Sequence, residues 1–275
     1  MKKLTLALLV AAIGITACEN DTDDSDNRPA VPFSKIQLSE NSPAEAGVPT
    51  VTTTQTYLYD RGLLTGSTTV QSYSVQGEAM KIENYATVTY DGQQTVVTDN
   101  FGNVSTYLLN DRGYAVQCTR QEAGTTRTYT FSYFDAEGKC YLEHLAESIN
   151  GEPYASIDID YSNLRVLRIV QHTDTYEQAY TAASDNGTPN RSEVPSLFLT
   201  SLYPLSLHTT ALYGKLLGEP FEVLTDEIIP DGNTESREVT RYTYSFDGRN
   251  LITSCKEVTN SYGTSYTRTV NYTIE

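Results

Sequence analysis

The chain has 275 residues and a formal net charge of −16, with 35 acidic side chains against 19 basic ones. This balance argues against nucleic acid as a partner, because binding to phosphates depends on basic patches. Tyrosine (21 residues) outnumbers phenylalanine (7), and tryptophan is absent. Such a composition favours half-buried strands, where a tyrosine ring packs inward while its hydroxyl reaches water. From residue 31 to residue 275 we predict a single all-β domain.

The N-terminus has the features of a secretory signal peptide over residues 1–17. Lys2 and Lys3 precede an apolar run, residues 4–15, which is shorter than the roughly 20 apolar residues that a spanning helix needs. Ala17 and Cys18 follow, an ending that resembles the lipobox of bacterial lipoproteins. The resemblance implies that Cys18 becomes the first mature residue and is the site of lipid attachment, with acyl chains such as palmitate as the anchor. The alternative is an ordinary signal peptide that is cleaved elsewhere.

Residues 18–30 are predicted to form an acidic, flexible tether. The stretch ENDTDDSDN, residues 19–27, is polar, like-charged and free of aromatic side chains, so it cannot bury enough surface to fold. Acidic residues directly after a lipidated cysteine resemble the surface-export signal of lipoproteins in anaerobic gut bacteria. We therefore expect an outer-membrane protein exposed at the cell surface. The alternative is a periplasm-facing protein in which the tether is only a spacer.

Five segments of the chain share one pattern, in which an aromatic residue is followed by Asp or Asn, then Gly, then an apolar restart. Examples are YLYDRGLLTG from Tyr57 and YTYSFDGRNL from Tyr242. Asp and Gly tolerate the positive φ of tight turns, so each segment predicts a β-hairpin rather than a reactive site. The predicted turn residues are Asp60, Gly62, Asp91, Gly92, Asp111, Gly113, Asp135, Gly138, Asp247 and Gly248.

The segments between these turns alternate between two kinds of side chain. In residues 126–134, Arg127, Tyr129 and Phe131 share one face, while threonine and serine occupy the other; residues 266–275 alternate in the same way. A period of two with one apolar face predicts an antiparallel sheet. About a dozen such strands, or slightly more, are too many for an open sheet. The predicted fold is therefore an all-β meander of hairpins that curls into a barrel or half-barrel.

One segment, residues 184–218, interrupts the strand pattern. Its first part is polar with two prolines, and its second part, residues 197–217, is apolar without alternation. Leu212, Leu216 and Leu217 suit a short helix that turns one face inward. We expect this insertion to plug or cap the barrel, and an ordinary surface helix is the alternative.

Two family resemblances follow from these segments. The lipoprotein start, the hairpins and the late segment LYGKLLGEPFEVLTDEIIPDG, residues 212–232, resemble an uncharacterised family of outer-membrane-type lipoproteins of gut anaerobic bacteria, described as having a porin-like β fold. The turns are also similar, at irregular spacing, to the tyrosine-aspartate repeats of large bacterial shell-forming proteins. The first resemblance implies a fold and a location but no catalytic residues. Because tyrosines are spread along the strands, and are not confined to two rims, we expect a water-soluble tethered barrel rather than an inserted pore.

Few residues in the sequence are candidates for chemistry. Apart from Cys18, the cysteines are Cys118, Cys140 and Cys255, which we expect to be reduced and buried. The three histidines lack helical metal-site spacing, and we expect no metal site and no cofactor. Asp158 and Asp160 lie two residues apart on one strand face, and they form the single candidate carboxylate pair, for glycoside hydrolysis or Ca²⁺.

The sequence thus predicts a non-enzymatic, lipid-anchored barrel that binds or scaffolds at the outer membrane. Its expected partners are the membrane, through the acyl chains, and a glycan, a peptide or another envelope protein. The rival hypothesis is a surface hydrolase acting on glycans with Asp158 and Asp160 as its acid pair, which would require both carboxylates to share a concave pocket. The sequence leaves the oligomeric state and the ligand open.

Overall fold

The computed structural model of the protein describes residues 28–42, 49–201, 209–232 and 238–275. Sixteen strands and two short helices lie in this part of the chain. The strands are β1 (Lys35–Asn41), β2 (Thr52–Asp60), β3 (Leu63–Val75), β4 (Glu78–Asp91), β5 (Gln94–Asp99), β6 (Val104–Leu109), β7 (Ala115–Glu122), β8 (Thr125–Ala136), β9 (Lys139–Ile149), β10 (Glu152–Ser162), β11 (Arg165–Thr173), β12 (Glu177–Ala183), β13 (Glu227–Pro230), β14 (Val239–Phe246), β15 (Ile252–Ser261) and β16 (Thr264–Ile274). The helices are α1 (Leu197–Ser201) and α2 (Thr209–Tyr213).

The sheet closes on itself. Every strand pairs antiparallel with the next one along the chain, and β1 also pairs antiparallel with β16, so that Ile36 lies opposite Ile274 and Glu40 opposite Val270. The predicted all-β barrel is therefore confirmed, in its closed rather than its half-barrel form. Among the described strands, closure leaves no unpaired sheet edge, whereas an open meander of this length would expose two.

The barrel has two ends, which we call the near end and the far end. The near end is where β1 begins and β16 finishes. Successive hairpins of an antiparallel meander turn at alternate ends, and the five predicted hairpin segments all turn at the near end. Asp60 and Asp91 are the last residues of β2 and β4, and Asp135 is the last but one of β8. Four of the predicted glycines have φ between 54° and 83°, namely Gly62, Gly92, Gly113 and Gly138.

The turn at Asp247 is built differently from the other four. Its positive φ falls on Asn250, at 62°, rather than on Gly248. The Asp247 carboxylate accepts hydrogen bonds from the backbone N–H groups of Arg249 and Leu251, at 2.8 and 2.9 Å, as Asn110 does from Arg112 and Tyr114 in its own turn. The Asp247 side chain thus holds the turn by capping two backbone donors, as aspartate commonly does in turns.

The N-terminal segment packs closely against two near-end glycines, which have no Cβ in its way. A Cβ built on Gly62 would lie 2.7 Å from the Cβ of Ala30, and one built on Gly113 would lie 2.6 Å from the Cα of Arg28. The backbone N–H of Val31 also donates to the carbonyl of Gly62 at 2.9 Å. The expected tether boundary at residue 30 therefore falls within a segment that contacts the barrel from Arg28 onward.

This contact can be tested with two glycines of the same backbone conformation. Gly62 and Gly124 both have φ of 82°, but a Cβ on Gly124 would meet nothing within 4 Å. Gly124→Ala should cost about 1–2 kcal/mol, from the left-handed conformation alone. Gly62→Ala should cost about 1 kcal/mol more, because Ala30 must also move. Urea unfolding measures both; equal losses would mean that the N-terminal segment does not pack on this turn.

The insertion between β12 and β13 fills the near half of the barrel. Among the described residues it contains α1 and α2, and Leu197, Leu199, Ala211, Leu216 and Leu217 are buried in the core. Its backbone also pairs with strand ends: Ala115 N–H donates to the carbonyl of Leu216 at 2.8 Å, and Glu219 N–H donates to that of Cys140 at 2.7 Å. The described part of this segment therefore plugs the near end, as the sequence predicts. We call it the plug (residues 184–201 and 209–226); it continues past residue 218, the expected end of the insertion, as far as β13.

The two faces of the wall differ sharply in polarity. In β16, Val270, Tyr272 and Ile274 are buried, whereas Thr267, Thr269, Asn271 and Thr273 between or beside them are exposed. The inner face carries the aromatic core, with Tyr57, Tyr107, Tyr129 and Tyr141 almost wholly buried. Cys118, Cys140 and Cys255 are buried free thiols. Burial raises the pKa of Cys118 and Cys255 to about 12, so these thiols stay protonated at neutral pH and are poor nucleophiles.

Within the described residues, no helix has both the length and the apolar character that crossing a membrane requires.

Candidate functional site

The far half of the barrel interior differs from the plugged near half because charged side chains line it. These side chains occupy inward-facing strand positions whose neighbours two residues away are buried and apolar or aromatic. On β15, for example, Glu257 follows buried Cys255, and on β16 Arg268 precedes buried Val270. The charges fall into two groups, one on β5, β7, β8 and β9 and the other on β1, β15 and β16.

The first group, which we call the arginine network, joins four strands, β5, β7, β8 and β9. Arg120 contacts Asp99 at 3.2 Å and Glu122 at 2.7 Å, and Arg127 contacts Glu122 at 3.0 Å and Glu147 at 2.7 Å. Arg120 and Glu147 are 8% and 2% exposed. Each arginine thus lies between two carboxylates, and the network cross-links the wall of the barrel.

Glu122 accepts hydrogen bonds from both arginines of this network, Arg120 at 2.7 Å and Arg127 at 3.0 Å. Hydrogen bonding from Arg120, together with that from Arg127, lowers the pKa of Glu122. A lowered carboxyl pKa in the folded state stabilises the fold at a pH above the unfolded pKa, and that contribution is lost as the pH falls through the folded value. The arginine network is therefore a structural element that ties neighbouring strands together.

The second group surrounds a cavity of about 270 Å³ at the far end, which we call the Glu257 cavity. Its lining includes Glu40 of β1, Thr53 of β2, Glu257 and Thr259 of β15, and Tyr266 and Arg268 of β16. Arg268 makes a close contact with Glu40 through Nε, but its Nη1 lies 3.7 Å from Glu257. At 3.7 Å, Arg268 and Glu257 form an ion pair but are too far apart for a hydrogen bond.

Glu257 therefore differs from Glu122 in its electrostatics. Burial raises the pKa of Glu257, an effect that Arg268 partly offsets and Glu40 reinforces. A carboxyl pKa that is raised in the folded state has the opposite linkage sign. The charged form destabilises the fold at a pH above the raised value, and stability increases as the pH falls through it. A new hydrogen-bond donor or cation beside Glu257 would stabilise its charged form, and would therefore stabilise the fold.

The outer wall carries a third polar arrangement, which crosses β9 to β12. Asp158 accepts from His144 Nδ1 at 2.6 Å and from His172 Nε2 at 3.0 Å, and His172 Nδ1 lies 3.2 Å from Glu177. The four side chains form a row, and in the described part of the chain no group of three or more His, Cys, Asp or Glu residues could hold a metal ion. Each of these side chains is more than a third exposed.

The candidate acid pair does not form a catalytic site of the expected kind. Asp158 and Asp160 both project from the outer wall, where Asp158 is committed to two histidines and Asp160 is exposed opposite Arg168. The pair faces solvent, and glycoside hydrolysis needs its two carboxylates on either side of a bound sugar. The geometry therefore does not favour the hydrolase hypothesis.

Several predicted residues fall outside the described part of the chain. Cys18, the signal peptide and the acidic stretch of the tether lie there, and so does His208. The Glu257 cavity, by contrast, was not predicted. The available signal was a glutamate and an arginine at inward positions of otherwise apolar strand faces, Cys255–Glu257 and Arg268–Val270.

Comparison with known proteins agrees with the closed β-barrel fold. Residues 58–254 match a family described as a domain of unknown function (DUF4595) with porin-like fold. The crystal structure of a porin-like protein from Bacteroides uniformis is 51% identical, has a TM-score of 0.84, and aligns over 90% of this chain and 100% of that one. The crystal structure of a porin-like protein from Bacteroides vulgatus is 12% identical, has a TM-score of 0.54, and aligns over 88% of this chain and 97% of that one. At this identity the similarity concerns the fold only. No curated protein matches the chain. The predicted porin-like family is thereby confirmed, while the lipoprotein start and the tyrosine-aspartate similarity stay predictions.

Proposed function

Because the chain belongs to the family of domains of unknown function with a porin-like fold, we propose that it is a lipid-anchored lipoprotein of the bacterial outer membrane. In this proposal the barrel is a non-enzymatic binding or scaffolding domain. The observation that carries it is the division of the interior, with a plug in the near half and a charged cavity at the far end.

The position of the N-terminal segment supports an orientation for this domain. Arg28 and Ala30 contact near-end turns, and the ten peptide units that link Cys18 to Arg28 span at most about 35 Å when fully extended. Acyl chains on Cys18 would therefore hold the near end toward the membrane. The Glu257 cavity would face away from it, toward whatever the protein binds.

The outer wall supports a barrel that stands in water rather than in lipid. A lipid-facing wall needs an apolar band about 25 Å tall, whereas β16 presents Thr267, Thr269, Asn271 and Thr273 outward. The plug also occupies the near half of the interior, which argues against a through-going pore. Anchoring by acyl chains and a soluble wall are consistent with one another.

The partners that fit this proposal are a glycan, a peptide or another component of the envelope. A net charge of −16 disfavours nucleic acid and anionic lipid surfaces, since both repel an acidic protein. Export to the cell surface is part of the proposal and is supported by the acidic stretch after Cys18.

Acyl labelling and proteinase treatment of cells test the anchoring and the location. Cells grown with radiolabelled palmitate should yield a labelled wild-type chain and an unlabelled Cys18→Ala chain, because the thiol is the proposed acceptor. Proteinase added to intact cells should remove the wild-type chain from an immunoblot. Label that persists in Cys18→Ala would contradict the anchor, and protection until the outer membrane is opened would turn the protein toward the periplasm.

A further inference from the structure

The Glu257 cavity contains an excess of negative charge. Two carboxylates, Glu40 and Glu257, share one guanidinium, that of Arg268. Arg268 is committed to Glu40 by a close Nε contact and reaches Glu257 with Nη1 at 3.7 Å. With both carboxylates ionised the three side chains carry a net charge of −1, and Glu257 is the carboxylate that the guanidinium does not hydrogen-bond.

Glu257 also lacks a hydrogen-bond donor among the described residues that surround it. Its side chain is 21% exposed, and burial raises its pKa. Glu122, at a comparable exposure of 28%, receives donors from two arginines. A half-buried carboxylate without a hydrogen-bond donor is costly to the fold. Of these two glutamates, Glu257 is therefore the one whose carboxylate a ligand could stabilise.

The rest of the lining suits an organic cation. The hydroxyls of Thr53 and Thr259 supply neutral acceptors, and the ring of Tyr266, 61% exposed, lies on the same wall. An aromatic face attracts an ammonium group. Two carboxylates against one guanidinium make the lining net negative, which disfavours an anion. Two carboxylates are also too few protein ligands for a divalent metal ion, and the described residues contain no group of three or more His, Cys, Asp or Glu that could hold one. A volume of about 270 Å³ admits a small molecule only.

We infer that the Glu257 cavity binds a small organic cation through a primary ammonium group, with the Glu257 carboxylate as its counter-ion. This inference rests on the proposed role of the barrel as a binding domain and names the chemical class of its ligand. An ammonium donates three hydrogen bonds, so it can bind the Glu257 carboxylate and the hydroxyl of Thr259, which lies two residues along β15 on the same face.

Two probes of matched size test the inference. Isothermal titration of the full-length chain in mild detergent with 1,4-diaminobutane should give a saturable heat, whereas 1,4-butanediol, in which hydroxyls replace the amines, should give none. Glu257→Gln keeps the shape of the side chain and removes its charge, so it should weaken diamine binding at least about tenfold. Tyr266→Ala, at an exposed position, should weaken it a few-fold without affecting the fold.

The control for Glu257→Gln is Glu83→Gln, which removes the same charge from an exposed ion pair with Lys81 on β4. It should bind the diamine as the wild type does. Diamine binding that is unchanged in Glu257→Gln, or equally reduced in Glu83→Gln, would overturn the inference, and so would equal binding of both probes or of neither. Labelling of Cys18 is read separately on the same protein, so a failed titration of a labelled chain overturns the ligand and leaves the anchor standing.

Discussion

Replacing Lys215 with methionine should lower the stability of the protein by about 3 kcal/mol. The Lys215 side chain is buried in the plug, where its Nζ lies 2.8 Å from Glu193 and 2.9 Å from Glu219. The same nitrogen donates to the backbone carbonyl of Ala30 at 3.1 Å. Methionine fills similar space but leaves two carboxylates without their cation, and Glu219 is 14% exposed. The N-terminal segment loses a contact to the plug in the same step.

The matched control is Lys139→Met. Lys139 of β9 pairs with Glu222 of the plug at 2.7 Å, but its side chain is 51% exposed. An exposed ion pair contributes at most about 1 kcal/mol, so this variant should unfold close to the wild-type midpoint. Chemical unfolding followed by circular dichroism compares the two. Similar midpoints for both variants would show that the Lys215 cluster does not hold the plug in place.

Replacing Tyr213 with alanine should cost about 3–5 kcal/mol, because a large aromatic side chain would leave a cavity in the centre of the barrel. Tyr213 belongs to α2 and stacks on Tyr57 of β2, with ring centroids 3.8 Å apart and planes inclined by 11°. Its backbone carbonyl accepts a hydrogen bond from the Tyr59 hydroxyl at 3.1 Å. This contact carries much of the packing between the plug and the wall.

Tyr213→Phe separates the ring from its hydroxyl. That hydroxyl is buried and has no hydrogen-bond partner among the described residues, so its removal should leave stability unchanged or raise it. Tyr85→Ala, which removes a tyrosine that is 55% exposed on β4, should change the free energy of unfolding by less than about 1 kcal/mol. A Phe variant as unstable as the Ala variant would contradict this account of the plug.

The fold class was predictable because its causes are local. Alternation in residues 126–134 reports which side of β8 faces the core, and Asp-Gly pairs such as Asp60–Gly62 report where the chain reverses. Both signals lie within a few residues. The pairing of β1 with β16 has no local cause, since it depends on how much twist and tilt the intervening strands accumulate. Barrel and half-barrel therefore remained open until the structure placed Ile36 beside Ile274.

For the polar side chains, the sequence predicted which face of a strand each one occupies but not which partners it contacts. The sequence placed Arg127 on the inward face of β8, yet its partners Glu122 and Glu147 come from neighbouring strands and depend on register. The same holds for His144 and His172, which meet at Asp158 although 14 residues separate each of them from it. Registers are set by bulges and turn lengths together, and single-strand patterns do not contain that information.

Closure between the first and the last strand has a consequence for how the molecule folds. Lys35 and Glu275 meet although they are 240 residues apart, so the closing seam has the largest loop entropy of any contact in the barrel. Contacts of such high sequence separation slow folding. A chain in which β16 has not yet joined the sheet exposes β1 and β15 as unpaired edges, which invite pairing with other chains. The aggregation-prone phase of folding therefore ends when β16, the last eleven residues of the sheet, pairs with β1 and β15.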